Sequence, residues 1–193
     1  MTIVAATRLE ANAIRREAPK LRVVLCGIGL QKFPSREFGD TVVSSGLAGG
    51  LRDDLPTGSV IIPESVTVEG GAATICDPEL SAALVAAAQK LGYAPLRGSL
   101  LTSAAIVSGE ARSYWASAGF VAADMETGLI RAARIAAVRV ILDTPRNELS
   151  DAWRKPASAL VRPNLWPQGL WLARNAPRCA RIAAQIVAAA FSP

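Results

Sequence analysis

The chain predicts an α/β protein, a single domain with a twisted mixed central β-sheet flanked by helices. Short β-branched runs recur along it, and Ala-rich stretches with helical spacing lie between several of them. At 193 residues, 51% hydrophobic and only 19% charged, it is long and apolar enough to bury one full core.

In chain order the predicted strands are 2–5, 22–26, 41–45, 59–62, 65–68, 120–123 and 138–142, each short and mostly apolar or β-branched. Helices are expected over 12–18, 78–91, 109–117 and 126–137, with a final amphipathic helix over about 177–190. The helix at 78 has the clearest start, because Asp77 is a good N-cap and Pro78 takes the first helical position. The connection 29–41 contains Pro34 and Gly39, leaving room for a turn or two of helix, whereas a crossover normally needs at least about 10 to 12 residues. Residues 144–171 are rich in Pro, Asn and Trp. The expected organisation is one domain over 1–193, with 144–193 a Trp/Pro-rich segment and C-terminal helix packed on it.

Composition narrows the function classes. No uninterrupted apolar run approaches the roughly 20 residues needed to span a bilayer, and the first ten residues have no basic stretch ahead of an apolar one, so a cytoplasmic protein is expected. Histidine is absent and Cys26, Cys76 and Cys179 lie far apart, which disfavours a zinc site or a His-based triad. The net charge of +5 permits anionic partners, but the arginines are scattered and no helix carries a basic stripe with interleaved aromatics. Nucleic acid is therefore not an expected partner.

Four places carry candidate chemistry. Glu126 follows a predicted strand, and a carboxylate there accepts from two adjacent hydroxyls of a ribose, with Met125 as an adaptable apolar wall. An ordinary acid in a first helical turn is the plain alternative. The cluster Gly46-Leu47-Ala48-Gly49-Gly50 follows another strand and lets backbone approach a flat base or an anion, or else is simply a turn. Asp143 ends the strand 138–142, where open α/β sheets present side chains to ligands. Burial there raises its pKa and suits it to protonate a leaving purine at N7, while an Asx cap before Pro145 is the alternative. Glu10, after the first strand, is placed to orient a water or a sugar hydroxyl, or to serve as a helix-start carboxylate.

Read together and in order, these motifs resemble the nucleoside phosphorylase and nucleosidase superfamily, which includes purine nucleoside phosphorylase and methylthioadenosine/S-adenosylhomocysteine nucleosidase. The matching features are Glu10, the strand end Gly27-x-Gly29, the loop Gly46-Leu-Ala-Gly-Gly-Leu51, Gly58-Ser-Val-Ile-Ile62, Asp124-Met-Glu126, and Arg139-x-x-x-Asp143. Within it the chain looks most like hopanoid-biosynthesis-associated phosphorylases, thought to remove adenine from adenosylhopane. Leu47 where nucleosidases usually have Ser, the Asp124-Met-Glu-Thr127 form, and the stretch Leu172-Ala-Arg-Asn-Ala-Pro-Arg178 point that way.

The resemblance implies cleavage of the N-ribosidic bond of an adenosyl compound. Glu10 would be the acid/base that handles water, Asp143 the proton donor to the base, and Met125 with Glu126 the ribose clamp. Gly46, Leu47, Ala48 and Gly49 would line the substrate site, and Ile106 and Val107 the purine pocket. No metal or organic cofactor is implied, with inorganic phosphate as an alternative co-substrate to water, and a homodimer is expected. A methylthioadenosine/S-adenosylhomocysteine nucleosidase and a degenerate nucleoside-binding protein without turnover are the rival readings. Trp166, Leu170 and Trp171, followed by Arg174, Arg178 and Arg181, suit peripheral contact with a membrane that holds a lipid-linked nucleoside. Packing over the sheet as core or lid is the plainer reading, and a dimer interface would also account for them.

Overall fold

One strand, β3 (Thr41–Gly50), ties the whole sheet together. Its first part lies between β1 (Thr2–Ala5) and β9 (Arg134–Ile141), parallel to both, and its last two residues pair antiparallel with β8 (Phe120–Asp124). The computed structural model describes residues 1–33, 35–154 and 162–192, so Pro34, Pro193 and residues 155–161 of the expected 144–193 segment lie outside the described residues.

From β3 the sheet extends two ways. Beyond β1 lies β2 (Val23–Leu25), and beyond β8 follow β7 (Ser99–Thr102), β5 (Ser65–Val68) and β6 (Ala73–Ile75), while β4 (Val60–Ile61) pairs antiparallel with β9. Parallel and antiparallel pairs mix in one nine-stranded sheet, in agreement with the expected fold class. Helices α1 (Arg8–Glu17), α2 (Pro78–Lys90) and α4 (Trp166–Phe191) share the largest apolar cluster with β1, β3 and β9. The short α3 (Glu110–Ser117) lies against β8. No helix among the described residues is long and apolar enough to cross a membrane.

Local chemistry explains the helix starts. Thr7 caps α1 in a reciprocal box with Glu10, and Asp77 caps α2 by accepting from the Leu80 N–H at 3.0 Å, with Pro78 at the first turn.

The largest departure from expectation is the helix over 126–137, which does not form. A single 3-10 turn, Thr127–Leu129, takes its place, and β9 begins at Arg134. The Ala-rich run has high helix propensity, yet Ile135 to Ile141 are all buried between β3 and the layers on either side. A central strand covered on both faces needs small apolar side chains, and tertiary packing overrides the propensity. The glycine cluster is likewise strand, because Gly46, Leu47 and Ala48 pair with β9 in register. Strands β6 and β7 were not expected. Helix α4 starts eleven residues earlier than 177, since Pro177 sits inside the helix. The predicted helix over 12–18 begins at Arg8.

Candidate functional site

Six charged side chains are buried among the described residues: Glu10, Arg112, Asp124, Glu126, Arg139 and Asp143. Buried charges are rare unless paired, and these surround one place in the fold. A cavity of about 190 Å³ lies there, lined by Glu10, Leu47, Ala48, Gly49, Ile106, Val107, Met125, Glu126 and Asp143, together with Thr7, Ile28, Asp124, Leu142 and Leu149 among others. Every predicted site residue except Gly46 is therefore on its wall. A larger hollow of about 860 Å³ near the middle of α4 contains none of them.

Gly46 stands directly behind the wall. A Cβ there would meet the Glu10 carboxyl carbon at 2.9 Å and Arg139 Nη1 at 3.0 Å, so the missing side chain is the space that Glu10 occupies. Gly49 plays the same part for Asp143, whose Oδ1 lies 3.2 Å from where its Cβ would be.

Glu10 combines two duties that the sequence presents as alternatives. Its Oε2 accepts from the Thr7 N–H and the Thr7 hydroxyl, both at 2.7 Å, closing the helix cap. Its Oε1 accepts from the Leu47 N–H at 2.9 Å, which fastens α1 to the glycine strand. A carboxylate has about four lone-pair sites, so these three bonds leave room for a further donor from the cavity.

Glu126 sits just before the 3-10 turn, with Oε1 accepting from the Gly29 N–H at 3.0 Å. Burial pushes its carboxyl up to about 8, helped by the neighbouring Asp124 and opposed by Arg139 and the Gly29 N–H. Asp124 holds this corner together. Its Oδ1 accepts from the Thr102 hydroxyl at 2.6 Å, and its Oδ2 from Arg139 Nε at 2.9 Å and from both polar groups of Thr127. Arg139 donates also to the Ser44 and Thr127 hydroxyls, at 2.7 and 2.6 Å. Arg139 thus neutralises part of the acidic cluster from beneath.

Asp143 ends the run that follows β9. Burial raises its pKa, while the guanidinium of Arg112, ion-paired with its Oδ2, pulls the other way. Sequence reasoning missed Arg112 entirely, along with Ile28, Leu51 and Leu149 of the wall. An arginine on a short helix that also carries Tyr114 and Trp115 gives no outward sign that it is the residue pointing inward. A second cavity of about 390 Å³ shares Ile28 and Met125 with the first and continues past Val68, Thr102 and Leu129. Trp166 and Leu170 are exposed, and Trp171 is half-buried against the main core.

Residues 35–188 match the Phosphorylase superfamily. No curated protein is matched. Among solved structures the chain is similar to a 5′-methylthioadenosine/S-adenosylhomocysteine nucleosidase from Neisseria meningitidis in complex with methylthio-immucillin-A, at 16% identity and TM-score 0.74, covering 97% of this chain and 96% of that one. It is also similar to a futalosine hydrolase mutant of Helicobacter pylori strain 26695, at 14% identity and TM-score 0.72, with 97% and 96% covered. A Helicobacter pylori 5′-methylthioadenosine/S-adenosylhomocysteine nucleosidase matches at 14% identity and TM-score 0.70, with 96% and 94% covered.

Proposed function

The chain belongs to the Phosphorylase superfamily, and from that premise we propose that it cleaves the N-ribosidic bond of an adenosyl compound and releases adenine, with water as the nucleophile. The observation that carries this reading is the convergence of Glu10, Glu126 and Asp143, from three distant parts of the chain, on one cavity. Glu126 and Met125 hold the ribose. Asp143 donates its proton to purine N7 as the C1′–N9 bond breaks, so that the base leaves neutral. Water attacks the oxocarbenium-like anomeric carbon, and Glu10 accepts its proton. Ile106, Val107 and the strand Leu47 to Gly49 bracket the base, and the scheme needs no metal or organic cofactor.

Charge favours water over phosphate. Both buried arginines are already occupied, Arg139 with Asp124 and Arg112 with Asp143, which leaves neither free for a phosphate. A phosphate dianion placed beside Glu10 meets like charge in a poorly screened site.

The first cavity alone falls below the roughly 300–1,000 Å³ usual for small-molecule sites, so the base and ribose fill it and the 5′ substituent extends into the second, past Ile28 and Met125. At the finest grain the proposed substrate is adenosylhopane, handled by a cytoplasmic homodimer at a membrane. The resemblance to hopanoid-associated phosphorylases and the exposed Trp166 and Leu170 support this. A methylthioadenosine/S-adenosylhomocysteine nucleosidase is the second reading, favoured by the small volume of the first cavity.

Adenine release from methylthioadenosine, adenosine and an adenosyl lipid, each with and without inorganic phosphate, tests all of it. The expected result is phosphate-independent release, fastest with the adenosyl lipid. Release only with phosphate overturns water as nucleophile, fastest release from methylthioadenosine selects the second reading, and no release from any of them leaves a nucleoside binder without turnover.

A further inference from the structure

Arg112 is 1% exposed and belongs to α3, an element with no side-chain cap at its start. Its guanidinium reaches across to the sheet, where Nη2 meets Asp143 Oδ2 and Nη1 donates to the carbonyl of Gly50 at the end of β3. The Nε lies 3.1 Å from Glu148 Oε1 but makes no hydrogen bond, and that oxygen accepts instead from the Gly109 N–H at 2.7 Å, where α3 begins. One buried cation therefore joins the proposed acid, the glycine strand and the helix behind the base-lining loop. Ile106 and Val107 precede α3, and Leu149 adjoins Glu148, so the cavity wall on both sides is fastened to this cluster.

Burying an arginine carries a heavy desolvation cost that its ion pairs must offset. A helix merely docked on a sheet does not need such a residue, since an apolar side chain of similar volume serves as well. Resting on the reading of Asp143 as proton donor, we propose that Arg112 is a positioning residue for the reaction: it clamps one carboxyl oxygen of Asp143 against the end of the glycine strand and leaves the other to the base. Gly49 leaves room for the carboxyl so held, because a Cβ there would lie 3.2 Å from Oδ1 and 3.3 Å from Oδ2.

The clamp also sets when Asp143 holds its proton. The groups facing Asp143 are Arg112 from α3, which lowers its pKa, and Glu148 from the following loop, which raises it, on top of burial. Removing the cation takes away the largest influence that lowers it, so Asp143 stays protonated to higher pH.

The test compares wild type, Arg112→Gln and Arg112→Lys by kcat and KM for adenine release across pH, with thermal unfolding in parallel. In Arg112→Gln, kcat is expected to fall by about 10²-fold, the loss typical of a catalytic group misplaced by an ångström, with KM nearly unchanged and the alkaline limb of the profile moved up. Arg112→Lys, which keeps a cation and remains the working comparison if the glutamine variant unfolds, should show a smaller fall and a limb nearer that of wild type. An alkaline limb unmoved in a folded Arg112→Gln, or in Arg112→Lys alongside undiminished kcat, overturns the inference. Absence of adenine release by the wild-type protein overturns the functional reading beneath it, and is seen before any variant is made.

Discussion

At Asp143 two opposing influences meet, since burial favours the neutral acid and Arg112 the carboxylate. A proton donor needs that balance, because a carboxyl that never gives up its proton is as inert as one that never holds it. Asp143→Asn keeps the volume and removes the transferable proton, so turnover should fall by about 10² to 10⁴ while circular dichroism is unchanged. Wild-type kcat in this variant would remove Asp143 from the acid role. Glu126→Ala should act differently, raising KM far more than it lowers kcat, because the ribose clamp contributes to binding in ground and transition states alike. The three acids are legible in the sequence because each follows a strand in an α/β pattern, where side chains face ligands. Arg112 is not legible, since its burial depends on where α3 docks. Glu10 was legible only in part: its cap and its bond to the Leu47 N–H coexist because a carboxylate has enough lone pairs for both.

At the level of elements, β9 shows what propensity hides. Ile135-Ala-Ala-Val-Arg-Val-Ile141 reads as a helix end followed by a short strand, yet all eight residues of β9 pair with β3 from Thr41 to Ala48. The alanines at 136 and 137 are completely buried, so they are small because two layers press on them. Ala137→Leu therefore should destabilise by roughly 1–3 kcal/mol through overpacking, read as a lower urea midpoint with unchanged slope. A helix with a solvent-facing side would absorb the same change at little cost, so an unaltered midpoint would contradict the strand assignment. Omitting a full helix between Glu126 and β9 also has a consequence for the site. Glu126 and Arg139 are joined by a 3-10 turn, the short stretch 130–133 and the first residues of β9, and Thr127 reaches both Asp124 and Arg139 directly. The strands β6 and β7 carry little signal in the sequence for a related reason. Each is only three or four residues long, and β7 makes sense only once β5 and β8 lie on either side of it.

For the molecule as a whole, the acidic cluster links stability to pH. Glu126 titrates near 4.5 in an unfolded chain and is pushed up to about 8 by burial in the fold. Between those values the native state holds the proton more tightly, so stability falls as pH rises and levels off once Glu126 is ionised in both states. Asp143, raised in the same direction, adds a slope of the same sign above its unfolded value of 3.8. Other shifted groups act elsewhere. Asp77, held down to about 2 by Arg134, loses its contribution only as pH falls below 3.8, and Cys26, raised by burial from 9.0 to about 12, acts only above 9. The decline between pH 5 and 8 therefore belongs chiefly to the two site carboxyls. Urea unfolding of wild type and Glu126→Gln across that range should give a midpoint that drops with pH for the wild type and a flatter line for the variant, whose amide cannot ionise. Parallel lines would mean that Glu126 is already ionised throughout, and the same neutral-pH protein would then bind ribose without first surrendering a proton.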